Sequence, residues 1–184
     1  MEFDITPEEK KILMQTAREA ITARIEKRKP QYPASTETLK KNCGAFVTLH
    51  KQGNLRGCIG FIIATKPLIE TVQEAAQSSA FNDPRFPALT AGELDEIEIE
   101  ISVLSPLRRI EDVKEIQVGV HGIMLKNGFY SGLLLPQVAT DYRWDRDTFL
   151  THTCYKAGLP GDCWRSKDTE IEVFSAVVFS EVSL

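Results

Sequence analysis

The residues best able to do chemistry lie in one hexapeptide, Leu55-Arg56-Gly57-Cys58-Ile59-Gly60. A cysteine attacks as its thiolate, and a free thiol with a pKa of about 8.5 is ionised by only a few per cent at neutral pH. On a regular strand Arg56 and Cys58 share one side, about 7 Å apart, so the guanidinium would favour the thiolate. This pattern predicts a thiol nucleophile or proton carrier at Cys58.

Two glycines, Gly57 and Gly60, interrupt the otherwise apolar strand around Cys58. Glycine weakens a strand, so its presence indicates a bulge, or the close approach of another backbone or of a ligand. In the functional interpretation a substrate reaches the backbone at the glycines and Arg56 binds its anionic group. In the alternative, Cys58 is a small buried hydrophobic residue and the glycines only permit helix packing.

Asp83 and Arg85 flank Pro84 in a loop that also contains Pro87. Polar side chains on a stiff loop can point into a cleft, which would make Asp83 and Arg85 residues that orient a substrate. A salt bridge that anchors the loop, or an Asx turn, explains both residues equally well.

A third candidate is Trp144, which Arg143 and Arg146 flank. An aromatic ring between cationic side chains can stack a nucleic-acid base. A tryptophan in such a place more commonly packs against a sheet edge, so both interpretations stay open.

The histidines and cysteines show no metal-site spacing. His50, His121 and His152 are far apart in sequence, and no C-x-x-C pair occurs, so we expect no metal site and leave the cofactor open.

The thiols are expected to be reduced, because no secretory signal is recognisable and a cytoplasmic location is the simplest interpretation.

The first hairpin is predicted to turn at Gln52 and Gly53. The residue numbers of paired positions then sum to about 105, so Cys58 lies opposite Val47. Cys43 is then far from Cys58, which disfavours a disulfide between them. Cys154 is expected in the core, and Cys163 in a loop.

The elements that must position these residues alternate between helices and hairpins. Thr6, Pro7 and Glu9 predict a capped helix that Pro30 terminates. Asn127-Gly128 is the strongest short signal for a second hairpin. We therefore predict an α+β fold, an antiparallel or mixed β-sheet flanked by helices with a small second lobe, in a single domain over residues 1–184.

The 184 residues carry a net charge of −4, with 42% hydrophobic and 26% charged residues. Such a composition is typical of a globular domain. The negative charge argues against strong non-specific binding to nucleic acid, and the short apolar runs argue against a membrane span.

The hexapeptide resembles the signature of the AMMECR1 domain family, and the resemblance extends along the chain. Further similar segments are residues 46–49, 80–81, 83–86, 101–105, 119–123, 132–138 and 154–159, with Trp164. The resemblance implies a two-lobed, RAGNYA-related α+β fold of the prokaryotic stand-alone form. It also implies association with Memo-type and radical-SAM proteins in a system for modifying a nucleotide-like or small aromatic compound. No established activity accompanies the family.

Two functions therefore stay open. In the first, the protein is an enzyme or catalytic partner in which Cys58, Arg56 and Asp83 do the chemistry, while Gly57, Gly60, Arg85 and Trp144 contact substrate. In the second, it is a non-catalytic binding or adaptor module that docks onto a partner enzyme. A metal-dependent site at Cys58 and a histidine is a weaker third possibility.

Overall fold

The computed structural model describes residues 4–184, so the first three residues of the predicted domain lie outside it. The chain forms two compact units. The first extends to Leu104 and includes Val177–Leu184, and the second comprises Ser105–Ala176. Both contain antiparallel strands flanked by helices, which confirms the predicted fold class.

The first unit begins with helix α1 (Pro7–Ile25), whose N-terminus forms as predicted. The Glu9 N–H donates to Thr6 Oγ1 at 3.2 Å, and the Thr6 N–H donates to Glu9 Oε2 at 3.1 Å. This capping box satisfies two N–H groups that the helix itself leaves unpaired.

The sheet of the first unit places β1 (Ala45–Lys51) between β2 (Asn54–Phe61) and β3 (Ile97–Leu104). Alternate residues of β1 and β3 are buried in a core with α1 and helix α2 (Leu68–Phe81). The intervening side chains, such as Thr48 and Glu100, lie on the opposite face because strand side chains alternate.

The β1–β2 hairpin has the predicted register near its turn and then shifts by one residue. His50 pairs with Leu55, a sum of 105, but beyond a bulge Leu49 pairs with Gly57 and Thr48 pairs with Cys58. The prediction that Cys58 faces Val47 is therefore wrong by one residue. Arg56 is the extra residue of the bulge, so the regular alternation assumed between Arg56 and Cys58 does not hold.

The second unit contains β4 (Arg108–Ile110), β5 (His121–Asn127), β6 (Tyr130–Leu134) and the first part of β7 (Glu170–Ser180), in the order β4-β7-β5-β6. The second hairpin forms as predicted, but Asn127 pairs with Tyr130, so its turn residues are Gly128 and Phe129, one residue later than Asn127-Gly128. Helices α3 (Pro136–Asp141) and α4 (Arg146–Lys156) complete the unit.

The expectation of four reduced thiols is wrong for one pair, because Cys154 and Cys163 form a disulfide with a Cα–Cα distance of 5.9 Å. After α4 the chain reverses at Gly158, whose φ is +76°, and a 3-10 helix (Cys163–Arg165) returns Cys163 to the helix. Sequence spacing alone does not show this reversal. Cys43 and Cys58 are free, as predicted for that pair.

Among the residues from 4 onward, no helix is long and apolar enough to cross a bilayer.

Candidate functional site

Cys58 is half-buried on the β2 edge of the first unit. Its strand partner Thr48 directs a hydroxyl towards it, and Thr48 Oγ1 lies 3.3 Å from the Sγ atom. Because Thr48 points away from the helices, the thiol lies on the sheet face opposite to α1 and α2. Cys58 is thus only partly buried, and a polar group contacts its sulfur.

Asp83, in the loop that follows α2, fixes the backbone of Cys58. Its side chain is buried, and its Oδ2 accepts the Cys58 N–H at 2.9 Å. Its Oδ1 accepts the Arg85 N–H at 3.1 Å, which forms an Asx turn. Hydrogen bonds from the Arg85 side chain, followed by those from the backbone N–H groups, hold the pKa of Asp83 well below its usual range. The carboxylate therefore stays ionised and serves as an anchor.

Arg85 is the exposed cation that contacts the Cys58 backbone. Its Nε and Nη2 atoms bind the Asp83 carboxylate at 3.0 and 2.8 Å, and Nη2 also donates to the Cys58 carbonyl at 3.3 Å. The side chain is 55% exposed, and its Nη1 donates to no atom of the described residues. The hydrogen bond to Asp83 raises the pKa of Arg85, and the nearby Cys58 contributes in the same direction. The free Nη1 can bind an anion near Cys58.

Arg56 lies in a different environment from the one the sequence suggested. It is buried, and Glu93 accepts its Nε at 2.9 Å and its Nη2 at 3.1 Å. Its Nη1 is also buried, without a partner among the described residues. The Arg56 hydrogen bond lowers the pKa of Glu93 to about 2. Since Arg56 is enclosed, Arg85 is the cation that a ligand at Cys58 could reach.

Close packing explains why glycine occupies both positions 57 and 60 of the hexapeptide. A Cβ on Gly57 would lie 2.2 Å from the Ser79 carbonyl oxygen, and one on Gly60 would lie 2.3 Å from the Phe46 ring. The close approach of another backbone, one of the predicted alternatives, is therefore present at Gly57, and the bulge, the other alternative, lies at Arg56. This packing agrees with the alternative interpretation of the glycines.

Ser79 and Glu93 are contributors that the sequence did not reveal. The Ser79 hydroxyl donates to the Val47 carbonyl at 2.7 Å and accepts the Ile59 N–H at 2.8 Å, so it bridges the two strands. A polar residue on the apolar face of α2 was the one signal available for it. Glu93 also completes a capping box with Thr90. That local pattern in the sequence does not indicate the contact between Glu93 and Arg56.

Trp144, in the second unit, stacks against two neighbouring rings. Tyr142 stacks on it at 4.9 Å and His152 at 3.9 Å between ring centroids. Arg146 contacts Asp147. The packing interpretation therefore describes Trp144 in this structure, and stacking of a base on it stays a prediction.

Within residues 4–184 no cluster of three or more His, Cys, Asp or Glu side chains is arranged to hold a metal ion.

Comparison with known proteins gives consistent results. The AMMECR1 family model matches residues 14–179. Protein MK0488 of Methanopyrus kandleri is 46% identical over 96% of this chain and 90% of its own length. Protein TK0174 of Thermococcus kodakarensis is 42% identical over 97% of this chain and 93% of its own length. The crystal structure of the uncharacterized protein PH0010 from Pyrococcus horikoshii aligns with a TM-score of 0.82 and 42% identity, over 92% of this chain and 89% of that one.

Proposed function

Because the chain belongs to the AMMECR1 family, as its motifs predicted, we propose that it is an enzyme or catalytic partner that uses the Cys58 thiol on an anionic, nucleotide-like or small aromatic substrate. One observation supports this most: Cys58 is a partly buried free cysteine whose main-chain carbonyl accepts a hydrogen bond from a guanidinium that the buried Asp83 holds in place. A fixed cation next to a sulfur favours the thiolate and can also bind substrate charge.

Each residue then has a distinct role. Cys58 is the nucleophile or proton carrier, and Arg85 binds the anionic group of the substrate through Nη1. Asp83 is a positioning residue, since it acts through the Cys58 backbone and the Arg85 side chain. Gly57 and Gly60 allow the neighbouring groups to approach closely. Arg56, assigned an anion-binding role from sequence, is better placed to support the bulge.

The family resemblance supports a wider context for this activity. We infer that residues 1–184 act as one AMMECR1-type domain in the cytoplasm, beside Memo-type and radical-SAM proteins. A family model that spans residues 14–179, and therefore both units, supports the single domain.

The test is the alkylation rate of Cys58 by iodoacetamide near neutral pH, followed by peptide mass spectrometry. Cys43 is an internal control, because it is buried and its burial raises its pKa to about 12. We expect Cys58 to react faster than a free cysteine, and Arg85→Gln to slow it while Arg85→Lys preserves most of the rate. The proposal fails if Cys58 reacts no faster than free cysteine and Arg85→Gln leaves its rate unchanged.

The rival function, a non-catalytic binding or adaptor module, also has an observation in its favour. Thr48 is the one side chain among the described residues that forms a hydrogen bond to the Cys58 sulfur, so no histidine or carboxylate of these residues is hydrogen-bonded to the thiol. The variant Cys58→Ser separates the two functions. An adaptor keeps its partner complex and its function, whereas an enzyme of the proposed kind keeps the complex and loses turnover.

A further inference from the structure

The strand β6 is a free sheet edge in the second unit. Its strand partner is β5, and no other backbone–backbone hydrogen bond among the described residues involves Tyr130–Leu134. At the edge of the first unit, by contrast, Asp83 accepts the Cys58 N–H and Ser79 accepts the Ile59 N–H. The outward N–H and C=O groups of β6 are therefore available for pairing with another strand.

Helix α4 packs against one face of the five-residue strand β6, where a Cβ on Gly132 would lie 2.5 Å from the Ala157 backbone nitrogen, but the strand lacks three other common protections of an exposed edge. Proteins commonly protect such edges with charged residues, a proline within the strand or a bulge. Residues 128–140 include no charged side chain, and proline first occurs at Pro136, after the strand has ended. The β5–β6 register runs from Ile123–Leu134 to Asn127–Tyr130 without a shift, so no bulge bends the edge away.

The side chains at the two ends of this edge are complementary to each other. Phe129 is fully exposed and Tyr130 is exposed, while Leu133 and Leu134 are half-buried. Antiparallel pairing reverses the strand direction, so the aromatic end of one strand would lie beside the leucine end of an identical strand. An uncharged strand also meets no like-charge repulsion when it pairs with itself.

We propose that β6 is a self-association edge, on which a second copy of this chain pairs antiparallel to form a two-fold dimer. A two-fold interface brings the same surface of each copy together, so a neutral edge without a bulge is suited to it. The pairing satisfies the outward backbone groups of both strands and covers Phe129 and Tyr130. The proposal is independent of the chemistry proposed at Cys58.

The test is sedimentation equilibrium of the full chain and of charge variants at Ser131, an exposed residue of β6. We expect the natural sequence to form dimers, and Ser131→Lys and Ser131→Glu each to weaken the dimer by about tenfold or more. An equimolar mixture of the two variants should restore dimers, because the opposite charges then attract each other. Gln52→Lys, in the exposed β1–β2 turn, is the matched control and should dimerise normally.

Two results overturn the proposal. In the first, the natural sequence is monomeric up to its highest soluble concentration. In the second, both Ser131 variants dimerise as well as the natural sequence does. Thermal melting of each variant verifies that it is folded. Because Ser131 is exposed, we expect both substitutions to leave the fold intact.

Discussion

The buried carboxylate of Asp83 accepts the main-chain N–H of Cys58 at 2.9 Å, across 25 residues of sequence. The same carboxylate binds Arg85 through two guanidinium nitrogens. One side chain thus fixes both the backbone that carries the thiol and the cation beside it. This contact joins the loop after α2 to the edge strand β2, and it is the structural basis of the proposed site.

Replacing Asp83 by Ala should lower the free energy of unfolding by about 1–3 kcal/mol, because it leaves the Cys58 N–H unpaired and removes the partner of Arg85. Asp83→Asn should cost less, since its amide oxygen can still accept the N–H. Chemical denaturation measures both losses. Equal losses in the two variants would show that the charge, and not the hydrogen bond to Cys58, matters.

Replacing Gly57 by Ala should destabilise the protein by more than about 2 kcal/mol, because the new Cβ would approach the Ser79 carbonyl oxygen to 2.2 Å. Gly92→Ala is the control, as no atom lies within 4 Å of a Cβ there and its φ is not positive. The control should be neutral or stabilising by up to about 1 kcal/mol. A tolerated Gly57→Ala would show that α2 can move away from β2.

The sequence predicted the elements well because their signals are local. The Thr6–Glu9 capping box and the second hairpin each depend on a few neighbouring residues, and both form, the hairpin with its turn one residue later than predicted. The segments that resemble the AMMECR1 family, the hexapeptide among them, also predicted the family that the family model shows. These features need no knowledge of what packs against them.

The remaining features depend on contacts between residues distant in sequence. A one-residue bulge moves Cys58 from Val47 to Thr48, and Glu93, 37 residues further along, encloses Arg56. The Cys154–Cys163 disulfide requires a chain reversal after α4 that spacing alone does not reveal. Composition predicted which residue types could act, but tertiary packing decides which of them a ligand can reach.

The ion pair of Arg56 with Glu93 predicts a specific loss of stability in acid. The folded pKa of Glu93 is about 2, below its usual value, mainly because of the Arg56 hydrogen bond. A lowered carboxyl pKa gives stability that is present above about pH 4.5 and is lost as pH falls towards about 2. Glu93→Gln should remove up to about 3 kcal/mol of this pH dependence.

Urea denaturation of both proteins at a series of pH values measures that difference. Other carboxylates with lowered pKa values, such as Asp83 and Glu19, titrate in both proteins and cancel in the comparison. Parallel pH profiles for the natural sequence and for Glu93→Gln would mean that Glu93 has its ordinary pKa in the folded protein.

The disulfide predicts how many thiols a reagent detects. Of four cysteines, two are free and two are bonded to each other. Without reductant, the native protein should show one rapidly reacting thiol, Cys58, and the denatured protein should show two. Reduction should reveal all four and destabilise the protein by about 2–3 kcal/mol, because the bond closes a short loop. Four thiols in the unreduced, denatured protein would contradict the bond.

Two helix ends predict substitutions that stabilise the protein. After α1 and α3 the chain turns through Lys27 and Arg143, each with φ near +55°, whereas Gly158 occupies the same position after α4. Each end has the hydrogen bond of a Schellman motif, Arg28 N–H to Ala23, Trp144 N–H to Ala139 and Leu159 N–H to Cys154. A side chain in the left-handed region costs about 1 kcal/mol that glycine avoids.

We therefore expect Lys27→Gly and Arg143→Gly each to raise the free energy of unfolding by about 0.5–1 kcal/mol, and Gly158→Ala to lower it by about 1 kcal/mol. Chemical denaturation compares the three variants. Lys27 is the matched control for Arg143, because both residues occupy the same helix-end position with the same backbone conformation. If Lys27→Gly stabilises and Arg143→Gly does not, the Arg143 side chain makes a stabilising contact in solution that offsets the backbone strain.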